Sequence, residues 1–297
     1  MMKNRNLLLT VLAVFAVTVS FGQANILNAK QTEEIGIKSE AHQLMDNDKP
    51  LEYGYVDDRD ILFSKMTWEK VVLDERANFP YYYPVDTNNI GKERRSLYDV
   101  LMRGIKDGEL ENLYDDSYFS SKRTLKDIEA ALIKVDTTDL GIEQFNAEGI
   151  VDPQYIRRRE ISAYDIKEYR IKGLWYFDKR QGELKYRLLG IAPVSPDVNF
   201  IDSEDGDLVE LFWVFFPEAR DILHHANSFN NKNSAIPVSF DHLLNSRRFN
   251  GYMYKEENVY GDREIKEYVA ENALMQLIES DRIKEKIRSF EQDMWAY

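Results

Sequence analysis

The sequence predicts an α+β protein, with N-terminal helices, a small antiparallel β-sheet built around a β-hairpin, and a C-terminal closing helix. Three observations predict it. Between Tyr169 and Leu188, apolar residues recur at every second position on both sides of a turn. Two segments, starting at Ser96 and Thr124, open on helix-capping residues and continue at helical spacing. From Ile265 to Phe290, apolar residues return every three to four positions.

Lys3 and Arg5 precede an apolar run from Leu7 to Val19, broken only by Thr10 and Thr18. Small residues, Ser20 and Gly22, follow where signal peptidase reads. The run is shorter than the ~20 residues a spanning helix needs. Residues 1–22 are therefore expected to be a cleaved signal peptide, with Gln23 as the first mature residue. No cysteine follows, so the chain cannot carry a lipid anchor of its own. Residues 23–56 are polar and without sustained period, which predicts an extended arm that wraps a partner. A single α+β domain is expected over 57–297, divisible into lobes 57–160 and 161–297.

Within that domain, Ile61–Leu73 mixes helical and strand patterns, with Trp68 and Val71–Leu73 facing a core. Phe79-Pro80-Tyr81-Tyr82-Tyr83-Pro84 is expected to be extended, because each proline biases its predecessor away from helix. Ser96 with Asp99 three residues later has the form of a capping box. Leu97, Val100, Leu101 and Ile105 make the buried stripe, and Gly108 ends the helix. Thr124 and Asp127 repeat the start signal, with Leu125, Ile128, Ala131 and Leu132 inward. Residues 136–160 have no clear period and close on Arg157-Arg158-Arg159-Glu160.

The hairpin comes next. Tyr169, Ile171, Trp175 and Phe177 alternate with polar neighbours, 178–183 turns the chain, and Leu184, Tyr186 and Leu188 alternate on the return. Leu208–Phe216 has the length and apolar content of a central strand. Pro217 ends it and suits the first turn of a helix through Leu223. Ser239 caps a short helix over Leu243 and Leu244, and Phe249, Gly251 and Met253 read as a fourth strand or a loop. Ile265, Val269, Ala273 and Leu277 begin the C-terminal face; Leu274, Ile278, Ile283, Ile287 and Phe290 continue it.

Composition narrows the function. Across 297 residues, 52 acidic side chains outnumber 39 basic ones, a net charge of −13, and loss of Lys3 and Arg5 deepens that by two charges. Such a chain is repelled by nucleic acids and anionic membranes, both bound through basic patches. At 43% hydrophobic residues it is too apolar to be disordered. Without cysteine there is no disulfide scaffold, thiolate metal site or cysteine nucleophile.

Motifs for chemistry are absent from the sequence. There is no nucleophile elbow, phosphate loop, dinucleotide fingerprint or His-Glu-x-x-His. Adjacent His224 and His225 point about 100° apart on a helix and suit a helix C-terminus better than a metal. His242 lies in the same half, and His42 in the polar arm. Asp202-Ser203-Glu204-Asp205-Gly206-Asp207 fails as a calcium loop, because a turn glycine at 206 puts Ile201 and Phe212 at ligand positions. No catalytic residue, metal ligand or cofactor is expected, and the chain is not read as an enzyme. The alternative is a periplasmic enzyme or binding protein acting on cell wall through paired carboxylates, for which 52 acidic residues supply many pairs.

What remains is surface. Aromatic residues make up 12% of the chain, a supply suited to protein assembly. Three consecutive tyrosines on an extended segment cannot all face one core, so Trp68, Tyr81, Tyr82 and Tyr83 are expected near a partner interface. Arg157, Arg158 and Arg159, the one dense basic run, are expected to seat an acidic neighbour.

In combination, several of these blocks resemble the GldN (PorN) family of gliding motility and type IX secretion. They are Ser20-Phe21-Gly22-Gln23, Phe79–Pro84, Ser96-Leu97-Tyr98-Asp99-Val100-Leu101, Gly173-Leu174-Trp175-Tyr176-Phe177-Asp178 and Leu211–Arg220. The resemblance implies a non-enzymatic periplasmic subunit in a ring with the outer-membrane lipoprotein GldK (PorK). It also implies contact with the periplasmic part of the inner-membrane motor component GldM (PorM), no direct membrane insertion, and a role in secretion and gliding.

Overall fold

A twelve-residue strand, β1 (Ile61–Val72), organises the chain. Its β-branched and aromatic residues favour a pleated surface, and its mixed periodicity follows from cover on both faces, where Thr67, Trp68 and Glu69 are all buried. The computed structural model describes residues 31, 48–86, 94–200, 207–229, 238–269 and 272–295. The signal-peptide and arm expectations, apart from the arm's final residues, lie outside them. Residues Pro50–Tyr297 form one unit.

After β1, a 3-10 turn at Arg76–Asn78 leads into α1 (Phe79–Tyr82). The expected extended segment is thus a helical turn: Pro80 sits in its first turn, where a missing N–H costs nothing. Only Tyr83, before Pro84, takes the extended geometry a following proline favours. Next comes α2 (Leu97–Lys106), capped by Ser96 accepting the Asp99 N–H. Asp99 does not complete the box; its carboxylate receives Arg95 and Arg103. Gly108, at φ 76°, follows the helix as expected.

Short strands β2 (Leu113–Tyr114) and β3 (Lys122–Arg123) precede α3 (Leu125–Leu132), whose Thr124–Asp127 capping box is complete. Ile128 and Leu132 are buried, but Leu125 is exposed, so the stripe is narrower than its spacing suggests. The featureless stretch 136–160 resolves into β4 (Ile133–Thr137), α4 (Asp139–Glu148) and β5 (Ile156–Glu160), with the two strands paired to each other.

The hairpin is β6 (Glu168–Asp178) and β7 (Glu183–Pro196), with a bulge between Lys172 and Gly173. The expected strand over Leu208–Phe216 is broken into β8 (Leu208–Glu210) and β9 (Trp213–Phe215), both paired with β7. Phe216 already belongs to α5 (Phe216–His225), with Pro217 in its first turn. Two-residue strands β10 (Asn227–Ser228) and β11 (Val238–Ser239) pair with each other. Ser239 then caps α6 (Phe240–Asn245). Strand β12 (Tyr252–Glu256) is followed by α7 (Ile265–Tyr268) and α8 (Ala273–Trp295). The C-terminal face is interrupted between these last helices; Leu274 and Ile278 are exposed, while Ile283 and Ile287 are buried.

The strand order β12-β1-β6-β7-β9-β2-β3, with β8 beside β7, makes an eight-stranded sheet. The fold is α+β as predicted, but the sheet is larger than expected because β1, from before the helices, lies between the hairpin and β12. Val71, Tyr169, Ile171, Leu188, Ile191 and Val214 join residues of α1, α2, α5 and α6 in the main core. A second cluster packs Met253, Ile265, Ile283 and Ile287 against Phe63, Trp175 and Leu184, which seats α8. A third, around Trp68, Ala192 and Trp213, is closed by Tyr114 and Phe119 from the β2–β3 region.

Candidate interaction surfaces

Helical spacing, rather than strand alternation, divides the aromatic run. Tyr81 is 1% exposed, packs against Phe240 and Phe249, and donates to the Arg248 carbonyl at 3.3 Å. Burial pushes its ionisation well above the tyrosine range. Tyr82 is half-buried and donates to the Tyr164 carbonyl at 3.1 Å. Phe79 and Tyr83 are exposed, and the Tyr83 ring meets Phe79 edge-on at 5.4 Å and Tyr82 at 4.8 Å. Exposed Tyr164, with the Lys167 ammonium 5.8 Å from its ring, extends the patch. Of the expected interface tyrosines, Tyr82 and Tyr83 therefore meet the surface, and Phe79 and Tyr164 join them.

Trp68 is placed elsewhere. It is 1% exposed, inside a cage of rings filled by the protein's own cations. The Lys172 ammonium lies 5.2 Å from the Trp68 ring, 4.9 Å from Tyr118 and 5.2 Å from Phe119. The Lys255 ammonium lies 4.6 Å from Trp68 and 4.8 Å from Tyr118. Lys172 donates to the Ser117 carbonyl, Lys255 to the Tyr118 hydroxyl, and that hydroxyl to Asp262. Burial first, and the Lys255 charge second, lower the affinity of Lys172 for its proton. The cage fastens the 115–121 loop to the sheet and leaves Trp68 no side-chain surface for a partner.

Arg157, Arg158 and Arg159 lie on β5, all exposed. They stand opposite Asp136, Val135 and Lys134 on β4. Arg158 reaches Glu160 only at 3.8 Å. The run is therefore a solvated strand, apart from the tyrosine patch in the sequence and on different elements.

Sequence reasoning missed a third feature. The Tyr53 ring, at the end of the expected arm, lies between the guanidinium groups of Arg187 and Arg220, 4.2 Å from each. Arg220 is held by two hydrogen bonds to Asp241, at 2.8 and 3.2 Å. Tyr53 donates to Asn245 Oδ1 at 2.7 Å, while Arg187 and Arg180 donate to the Gly54 and Tyr55 carbonyls. Burial raises the Tyr53 pKa. Two tyrosines within Glu52-Tyr53-Gly54-Tyr55, in an otherwise polar arm, were the available signal.

Among the described residues the candidate histidines and carboxylates do not converge on one point. His224 and His225 end α5 with rings 5.8 Å apart and nearly perpendicular, and His225 Nδ1 lies 2.7 Å from the Asp221 carbonyl. Among the described residues no group of three or more histidines and carboxylates is placed to hold a metal ion. Of the acidic run 202–207, only Asp207 is described, and His42 lies outside the described residues. Among the described residues no helix is long and apolar enough to cross a membrane.

The family model for the gliding motility associated protein GldN matches residues 56–296. None of the curated proteins searched matches the chain.

Proposed function

Because the chain belongs to the GldN family of gliding motility associated proteins, we propose that it is a periplasmic structural subunit of the type IX secretion and gliding machinery. In this reading it joins a ring with an outer-membrane lipoprotein of the GldK (PorK) type and meets the periplasmic region of a GldM (PorM)-type motor component. It performs no catalysis itself. The lipoprotein partner holds it at the inner face of the outer membrane, since the chain has no cysteine to acylate.

The observation that carries the reading is the family match over nearly the whole folded chain. The Phe79–Tyr83–Tyr164 surface supports it, because exposed aromatic rings anchored by buried neighbours are the side chains that dominate assembly interfaces. The test is gentle detergent extraction of the envelope and purification through a C-terminal tag. Gradient sizing, electron microscopy and mass spectrometry then define the product. A large ring containing a GldK-type lipoprotein is expected. A free monomer, obtained without salt stress, overturns the reading and makes release of muropeptides by the purified protein the next assay.

A further inference from the structure

Residues 53–56 form a strap held at three points. The Tyr53 ring lies between Arg187 and Arg220, the Gly54 carbonyl accepts from Arg187 at 3.3 Å, and the Tyr55 carbonyl accepts from Arg180 at 2.9 Å. The strap and the sheet together line a cavity of about 420 Å³. On the sheet side its lining is Ile61 from β1, Leu174 and Tyr176 from β6, and Leu189 and Arg187 from β7. Leu189 is the residue that the β6–β7 bulge leaves out of the ladder, since Lys172 pairs with Gly190 and Gly173 with Leu188. Tyr55, 80% exposed, leaves the space open. A mostly apolar cavity of this size with one placed polar group has the form of a site for a small ligand.

The polar group is Arg187. Its guanidinium is half-buried, 4.2 Å from the Tyr53 ring and 5.9 Å from that of Tyr176. Nη2 donates to the Gly54 carbonyl and, at 3.5 Å, to the Tyr176 hydroxyl. Among the described residues Nε and Nη1 have no acceptor, and no carboxylate pairs with the charge. Arg170, Arg220 and Arg247 differ in this respect: each holds a carboxylate, from Glu168 and Glu210, Asp241 and Glu69. Of the carboxylates beside the lining residues, Asp57, Asp60 and Asp178 are engaged by Arg59 and Arg180, and Glu52 is exposed. A partly buried cation without a counter-ion is costly, and an anion relieves it through a charge-assisted hydrogen bond. On a chain of net charge −13, which repels anions over most of its surface, such a point is selective.

We propose that this cavity binds a small carboxylate carrying an unbranched apolar tail, with the carboxylate on Arg187 and the tail against Ile61, Leu174 and Leu189. The site goes beyond the subunit reading and does not depend on it. Its volume lies at the small end of ligand sites, which suits a single short chain rather than a two-chain lipid.

The test is isothermal titration of the full mature chain with hexanoate, octanoate and decanoate below their micelle concentrations. One site per chain is expected, with affinity rising about fourfold per methylene. Decyltrimethylammonium, with the decanoate tail and the opposite charge, should bind at least roughly tenfold more weakly. Arg187→Met should weaken decanoate to a similar extent while leaving decanol nearly unchanged, and Arg187→Lys should restore most of the decanoate affinity. Leu174→Trp, which fills the cavity, should abolish binding of both ligands. Melting temperature of the free protein checks that each variant is folded, and the ligand series on the wild type decides the proposal even where a variant is not. Failure of the wild type to bind decanoate saturably, equal affinity for the ammonium, or undiminished binding by Leu174→Trp each overturns the proposal. An equal loss of decanol and decanoate in Arg187→Met would make Arg187 a holder of the strap rather than a ligand group, and overturns its role. Flotation of the protein with phosphatidylglycerol vesicles, lost in Arg187→Met, would assign the charge to a membrane headgroup and overturns the free-ligand assignment.

Discussion

Replacing Arg247 by methionine should destabilise the protein by about 3 kcal/mol, the lower end of the cost of breaking a buried ion pair from one side. The structure sets the size of the effect. Glu69 lies on β1 with its side chain 1% exposed, and both carboxylate oxygens accept from Arg247, each at 2.9 Å. The guanidinium is itself stacked among Tyr186, Trp175 and Phe249, 4.1 to 5.1 Å from their ring centres. Methionine keeps the aliphatic packing but strands the carboxylate. The arginine is 25% exposed, so some water reaches the site, which argues for the lower figure. Arg247 also has φ of 50°, and methionine inherits that strain, so the comparison isolates the pair. The double replacement Glu69→Met/Arg247→Met should fall within about 1 kcal/mol of the wild type, since an apolar pair needs no compensation. The assay is urea unfolding with an unchanged m-value, analysed as a double-mutant cycle with an expected coupling of about 2–3 kcal/mol. A single variant costing under 1 kcal/mol, or a double variant as unstable as the sum of the singles, would refute the reasoning.

Gly173→Ala should cost about 1–3 kcal/mol of stability in urea unfolding, because the added Cβ would sit 2.1 Å from the Tyr186 hydroxyl and 2.2 Å from its ring. That ring is confined by Trp175 at 5.0 Å and Arg247 at 4.1 Å, so it has no room to yield. Stability should fall as pH rises above about 10. Burial holds the protons of Tyr81, Tyr98, Tyr169, Tyr186 and Tyr254 well above the usual tyrosine value. The unfolded chain releases them near pH 10, so it binds fewer protons there, and each tyrosine removes about 1.4 kcal/mol per pH unit up to its folded pKa. Melting temperature against pH measures this, and part of the tyrosinate absorbance should appear as a step that coincides with unfolding. Tyr53→Ala should speed amide exchange of residues 51–56 and open them to protease, at a cost of about 1–2 kcal/mol from two guanidinium stackings, while the melting cooperativity of the sheet is unchanged.

Much of the fold was legible because its signals are local. The β6–β7 hairpin alternates around a turn; Ser96 and Thr124 place helix starts through hydrogen bonds within four residues; Pro217 marks the start of α5. Errors arose where one rule met a stronger one. The preference of residues before proline for extended backbone predicted a straight Phe79–Pro84, but Pro80 fits a first helical turn and Tyr81 gains a core site there. The apolar run Leu208–Phe216 looked like one strand because hydrophobicity cannot show that Leu211 and Phe212 leave the ladder for the core. The stretch 136–160 has no legible period because Leu140, Ile142, Phe145, Ile150 and Ile156 are exposed, and periodicity reports a buried face. Trp68 illustrates the limit for sites: its aromatic character is visible in the sequence, but the two lysines that fill its cage come from positions 172 and 255. The expected interface runs were surface in part, Tyr82, Tyr83 and the three arginines, whereas the Tyr53 clasp depends on arginines more than 130 residues away.

The position of β1 has a kinetic consequence. One of its edges is paired by β6 and the other by β12, whose residues 252–256 are among the last strands to be made. About 180 residues separate β1 from its final neighbour, and a chain that crosses a membrane unfolded, N-terminus first, delivers β12 only after all of them. During that interval one edge of the sheet's longest early strand is an open template for any other chain. A chain ending before Tyr252 would keep it open permanently, so truncation near the C-terminus should show itself as aggregation before it shows as lost secondary structure.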